Sequence, residues 1–188
     1  MLPWNPARNG LRYLFDYNRT YASHMMTDPS WTRAVIVRDP IERFMSAYLD
    51  KAVHNKKFIA KKCCPSGTCV PYAKSSPSHF LKLARLCHNV HWQPQSRRMS
   101  PRIWKQINFV GHLDTMAEDA RRLLKRIGAW DEFGRHGWNN RSIFASAPGD
   151  TGRTHATQAK SKVDKLLTPK LLRRLQEYYA EDYKNPVI

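Results

Sequence analysis

The sequence predicts an α/β fold, a parallel sheet flanked by helices, in a single domain over residues 1–188. Two observations carry this. A strand-then-helix unit occurs twice in series, over residues 33–54 and again over residues 106–127, and such alternation builds parallel sheets. The first strand holds Val35-Ile36-Val37, an apolar β-branched run with no polar alternation, which suits a strand covered on both faces. With 188 residues, 41% hydrophobic content and six tryptophans, the chain is also large enough to bury a real core.

The elements follow in order. Residues 11–26 predict a helix with Leu11, Leu14, Phe15, Tyr21 and Met25 on its apolar side. After the strand at 33–37, a helix over 40–54 opens with Asp39 as cap, Pro40 at the first position and Glu42 three residues after the cap. Ile41, Phe44, Met45, Tyr48 and Leu49 form its apolar face, while Arg43, Ser46 and Asp50 share another. Residues 55–76 are basic, cysteine-bearing and turn-rich, and read as an insertion away from the core. Residues 78–87 read as a helix that packs through Phe80, Leu81, Leu83, Ala84 and Cys87. A second strand is expected over 106–110. Thr115 and Glu118 then form a capping box for a helix with Met116, Ala120, Leu123, Leu124 and Ile127 inward, and Gly128 ends it. Residues 129–157, rich in Gly, Asn, Ser and Trp, read as a long loop, which in a compact domain is usually functional or disordered. Thr168 and Pro169 start a last helix with Leu171, Leu172, Leu175 and Tyr179 inward.

The formal net charge is +17, spread along the whole chain. It calls for an acidic partner: a nucleotide, a sulfated or carboxylated glycan, nucleic acid or an anionic membrane. No finger, homeodomain or RNA-recognition signature is present, so a nucleic-acid partner is not expected. No run is long and apolar enough to span a bilayer, and the first six residues lack the regions of a signal peptide, so no membrane span is expected in this chain. The cysteines are Cys63, Cys64, Cys69 and Cys87. A zinc site with His88 or His91 as fourth ligand has a spacing that matches no standard finger. Disulfides are the other reading, with Cys69 or a neighbour joined to Cys87 and the connectivity open. Sequons at Asn18 and Asn140 fit a secretory setting.

Arg38 stands at the carboxyl end of the first strand, where open α/β sheets bind ligands. A guanidinium, a helix start and the Ser46 hydroxyl on the second turn are placed to converge on one phosphate. The string Arg38-Asp39-Pro40, with Arg43, Ser46 and Tyr48 behind it, resembles the 3′-phosphate motif of sulfotransferases. His91-Trp92-Gln93-Pro94-Gln95, the segment from Ile107 to Asp114, and Gly152-Arg153-Thr154-His155-Ala156-Thr157 are similar to segments of the membrane-bound carbohydrate sulfotransferase branch. The resemblance runs in order from about residue 33 to Tyr183.

The resemblance implies a P-loop-kinase-like sheet and a donor, 3′-phosphoadenosine 5′-phosphosulfate (PAPS), with no metal. It implies transfer of the sulfuryl group to a carbohydrate hydroxyl on an anionic glycan or glycoprotein, in the Golgi lumen or secretory pathway. Arg38 and Ser46 would hold the 3′-phosphate. Gly152, Arg153 and Thr154 would close over the nucleotide, Gly152 allowing close backbone approach and Arg153 adding a second cation; Thr151 stands where the family's loop usually has Lys. His91 is the candidate base, with Trp92 fixing its setting. His112 and Asp114 follow the second strand, where Asp114 also reads as a helix cap, and His155 also reads as ordering its own loop.

The family also carries a 5′-phosphosulfate loop with a Lys and a Ser or Thr after an initial strand. Here Asn5 to Gly10 is the turn in that place, with Arg8 as its cation and no Lys. The expectation is therefore an N-terminally truncated version of the fold. The function is read as carbohydrate sulfotransferase. The alternatives are an inactive homologue that binds nucleotide or anionic glycan, and a basic nucleic-acid-binding module supported only by charge and aromatics.

Overall fold

The computed structural model describes residues 7, 10–64, 76–135 and 159–188. Their sheet has two parallel strands, β1 (Ala34–Val37) and β2 (Phe109–His112), in register from Ala34 opposite Phe109 to Val37 opposite His112. This is the expected parallel α/β arrangement, but β2 starts three residues later than predicted. Residues 106–108 are used differently. The Arg33 N–H donates to Asn108 Oδ1 (2.9 Å), Asn108 Nδ2 donates to the Trp31 carbonyl (2.8 Å), and the Arg33 guanidinium donates to the carbonyls of Gln106 (2.5 Å) and Asp28 (2.7 Å). These side-chain bonds add to backbone ones, in which the N–H groups of Gln106, Ile107 and Asn108 donate to the carbonyls of Ile103, Trp104 and Arg33.

The helix expected over 11–26 is shorter. α1 (Arg19–Thr27) begins where Asn18 accepts the Tyr21 N–H at 2.8 Å, and a single 3₁₀ turn, Leu14–Asp16, precedes it. Within α1 only Met25 is buried; Leu11, Leu14, Phe15 and Tyr21 are exposed, so the predicted apolar face is not a core face.

α2 (Pro40–Ala47) opens as expected, with the Glu42 N–H donating to Asp39 Oδ1 at 2.8 Å and Pro40 in the first turn. It continues as a π-helical segment, Tyr48–His54, in which the Asn55 N–H reaches back five residues to the Asp50 carbonyl. α3 (Lys56–Cys63) corrects the predicted insertion. Asn55 caps it, and Ile59 and Cys64 are buried in the main core; residues 65–75 lie outside the described residues. Cys63 is bonded to Cys87, at the end of α4 (Pro77–Leu86), and Cys64 is disulfide-bonded as well. A zinc site would need these sulfurs as thiolates, so the zinc reading fails.

A 3₁₀ turn, Gln95–Arg98, and α5 (Pro101–Trp104) lead to β2. α6 (Met116–Arg126) follows, without the predicted capping box. The Thr115 hydroxyl donates instead to Asp119 Oδ2 (2.7 Å), and this buried carboxylate also accepts the His112 N–H (2.8 Å). Gly128, at φ +70°, ends the helical stretch as expected. Of the predicted 129–157 loop, Trp130–Gly134 forms a π-helical turn and residues 136–157 lie outside the described residues. α7 (Ala159–Leu166), α8 (Pro169–Tyr178) and α9 (Ala180–Lys184) complete the chain; Thr168 caps α8 by accepting the Leu171 N–H.

The core lies between α2, α4, α8 and the 91–95 segment. Phe80 is its hub, with ring centroids 5.2 Å from Phe44 and 5.2 Å from Trp92. Phe44, Phe80, Trp92, Leu175 and Tyr179 are fully buried. Each such side chain contributes about 1.5–3 kcal/mol through burial.

Candidate functional site

A cleft of about 310 Å³ opens at the carboxyl end of β1. Ile36, Val37 and Arg38 form its floor, Arg43, Ser46, Ala47 and Asp50 one wall, Val90, His91 and Gln95 the other, and Leu113 closes the end beyond β2. Arg38, Ser46 and His91, separated by up to 53 positions in sequence, thus share one cavity. The positions follow from local structure. β1 ends at Val37, so Arg38 is the first residue past the sheet, and the Asp39 cap starts α2 at once. Arg43, Ser46 and Asp50 then recur at helical spacing on the face turned to the cleft.

Arg38 is the principal cation. Its side chain is 20% exposed and lies 3.5 Å from Glu42 Oε2. Glu42, predicted as part of the cap, turns its carboxylate to this guanidinium. The pair leaves Arg38 Nε buried with no hydrogen-bond partner among the described residues. A buried guanidinium N–H without an acceptor is costly, and an anion in the cleft would satisfy it. Arg43 is committed to structure: it donates to the carbonyls of Gln93 (2.6 Å) and Val90, tying α2 to the opposite wall.

His91 sits at the rim. Its backbone N–H donates to Asn89 Oδ1 (3.1 Å), and its ring meets the Phe58 ring edge-on at 5.4 Å. Partial desolvation, then the Lys51 ammonium, hold the imidazole pKa below its ordinary value; Asp50 pulls the other way. Lys51 is itself 2.7 Å from Asp50 Oδ2 and 5.1 Å above the Phe58 ring. These surroundings favour the neutral imidazole, the form able to accept a proton.

Gly152, Arg153 and Thr154, with Thr151 and His155, lie outside the described residues, as does Arg8. His112 and Asp114 are exposed and are not among the cleft residues. Thr115, rather than Asp114, stands at the N-cap of α6. Asp50 and Gln95 were given no site role in the sequence reading. Asp50 was legible only as sharing a helical face with Ser46. Gln95 was legible only as part of the His91–Gln95 segment, and its contacts, to Arg38 and to Asp182, run to positions 57 and 87 away.

Residues 4–185 match the sulfotransferase family. Carbohydrate sulfotransferase 9 of Homo sapiens is 30% identical over 116 residues, covering 53% of this chain and 26% of its own length. Carbohydrate sulfotransferase 10 of Xenopus laevis is 28% identical over 142 residues, covering 64% of this chain and 39% of its own length. The Rattus norvegicus form of the latter is 28% identical over 141 residues. The match thus spans between 26% and 39% of the length of these relatives. No solved structure matches the chain.

Proposed function

Because the chain belongs to the sulfotransferase family, we propose that its cleft holds the 3′-phosphate of PAPS and that it transfers the donor's sulfuryl group to a carbohydrate hydroxyl. The observation that carries this reading is the buried Nε of Arg38, with no hydrogen-bond partner among the described residues, in a cleft at the carboxyl end of β1. Arg38 supplies charge and two-dimensional donor geometry for a phosphate, and Ser46 a hydroxyl on the same wall. His91 takes the proton of the acceptor hydroxyl. The acceptor oxygen bonds to sulfur as the bond from sulfur to the bridging oxygen breaks, and that electron pair leaves on the 5′-phosphate of the nucleotide. Gly152, Arg153 and Thr154 add contacts on the nucleotide side. No metal is assigned a part in this reading.

The net charge of +17 supports an anionic glycan or glycoprotein as acceptor. The Cys63–Cys87 disulfide supports a secretory, Golgi-type setting, since disulfides persist in oxidising compartments. No helix among the described residues is long and apolar enough to cross a membrane.

Calorimetry with 3′-phosphoadenosine 5′-phosphate and with adenosine 5′-phosphate tests the assignment. The 3′-phosphorylated nucleotide binds more tightly, and Arg38→Ala removes about 1.5–3 kcal/mol of that difference, the usual worth of a charge-assisted contact. Equal affinity of the unaltered chain for both nucleotides overturns the reading.

Transfer of labelled sulfate to desulfated glycans tests turnover; binding of the 3′-phosphorylated nucleotide with no transfer would favour instead nucleotide or glycan binding without turnover.

A further inference from the structure

Arg38 does not hold its own position. It follows the last residue of β1, where the ladder to β2 has ended. The side chain of Gln95 takes over. The Arg38 N–H donates to Gln95 Oε1 (3.1 Å), and Gln95 Nε2 donates to the Arg38 carbonyl (2.7 Å). One amide thus engages both backbone groups of the residue, as a neighbouring strand would. Glutamine suits this place because its amide both accepts and donates at the end of one side chain. Glutamate accepts only, and a methionine of similar length does neither.

Gln95 is in turn fixed from the far end of the chain. Asp182, in α9, is completely buried. Its Oδ2 accepts the Gln95 N–H at 2.9 Å and its Oδ1 accepts the Ser96 N–H at 2.8 Å. The hydroxyl of Tyr179 donates to the Trp92 carbonyl (2.6 Å), and Arg43 donates to the Gln93 carbonyl, so the 92–96 segment is held on several sides. Packing alone does not call for a buried carboxylate here. An apolar residue of similar volume would cost less desolvation. What the carboxylate adds is a fixed direction for the Gln95 backbone, and through it a fixed place for Arg38.

We propose that Gln95 and Asp182 are positioning residues for the 3′-phosphate contact, Gln95 clasping the Arg38 backbone and Asp182 locking Gln95. This deepens the PAPS reading above and rests on it. Both act through Arg38 in this proposal. Their effect is to remove the freedom that Arg38 would otherwise lose on binding, the preorganisation that outer partners give to ligand-holding groups.

The test is the ratio of affinities for 3′-phosphoadenosine 5′-phosphate and adenosine 5′-phosphate, measured by calorimetry on the 188-residue chain. Gln95→Met lowers that ratio by about tenfold, the low end of what losing an orienting partner costs at ligand sites. Gln95→Glu, which keeps the acceptor and loses the donor, also lowers the ratio. An unchanged ratio in a folded Gln95→Met overturns the proposal. If Gln95→Met does not fold, Asp182→Asn takes its place: one N–H loses its acceptor while Gln95 remains, and the ratio falls by a smaller factor. An unchanged ratio in Asp182→Asn overturns the proposal equally. A chain that prefers neither nucleotide before any substitution fails the PAPS reading itself, which is a different result.

Discussion

His91, the proposed base, shows how surroundings bias the protonation of a single side chain. Partial burial disfavours the imidazolium, the ammonium of Lys51 disfavours it further, and Asp50 offsets part of this. All of the net shift is downward, so the base form persists to lower pH than for an ordinary histidine. Lys51→Met removes a positive charge and therefore raises the His91 pKa. Proton NMR titration of His91 in both proteins checks this, and an unchanged or lowered midpoint would sink the account. If His91 is the base, the acid limb of kcat/KM moves to higher pH by the same amount. The residues behind this cluster were partly legible. Arg38, Ser46 and the Asp39 cap lie within nine positions and obey local helix rules, so spacing alone locates them. The pairing of Lys51, Phe58 and His91 joins positions up to 40 apart in sequence and leaves no local trace.

At the scale of elements, the sheet meets α6 at a glycine. A Cβ on Gly111 would lie 2.7 Å from Ile36 Cδ1 and 3.0 Å from Asp119 Cβ. The end of Ile36 has room to swing, because that residue is 38% exposed, but Asp119 Cβ belongs to the helix and is fixed. Gly111→Val should therefore destabilise the protein by about 1–3 kcal/mol, the usual cost of overpacking. Urea unfolding measures it, and a variant of unchanged stability contradicts the close approach. Asp119 matters for a second reason. The His112 N–H, then the Thr115 hydroxyl, hold its carboxyl pKa below the ordinary value. A carboxylate depressed in the folded state adds stability above its unfolded pKa of about 3.8, and that stability is lost as pH falls through the lower folded value. Asp119→Asn should make the acid limb of the stability–pH curve shallower. The same carboxylate explains why the capping box at Thr115 and Glu118 misled: the motif was present, but a buried acceptor one residue further on claimed the Thr115 hydroxyl. The opening helix misled for the opposite reason. Leu11, Leu14 and Phe15 have helical spacing, but Asn18 stops the helix short of them, and periodicity carries no information about whether a face is covered. In the basic stretch after residue 55, the lysines hid Ile59, which the core buries.

For the molecule as a whole, 32 basic residues against 15 acidic ones create a field that attracts any polyanion. Binding of a sulfated glycan should weaken steeply between low and physiological salt, because exposed charges are screened beyond about 8–10 Å there. The more buried Arg38 contact should respond less. Affinities for glycan and nucleotide across a salt series check this, and equal slopes would contradict the separation of the two contacts. The Cys63–Cys87 bond links that surface to the cleft. It joins the ends of α3 and α4 across a separation of 24 residues. The carbonyl of Cys87 accepts the indole N–H of Trp92 at 2.7 Å, and Trp92 precedes the Gln95 clasp by three residues. Losing the bond should cost about 2–4 kcal/mol, mostly by releasing the unfolded chain. It should also loosen the 87–95 segment in the folded state, so the loss does not stop at global stability. Cys87→Ser should therefore lower the melting temperature and, below that temperature, weaken binding of 3′-phosphoadenosine 5′-phosphate. Thermal unfolding and calorimetry on the same sample distinguish the two effects. A lower melting temperature with unchanged nucleotide affinity would confine the disulfide to stability and break the link from Cys87 through Trp92 to the cleft.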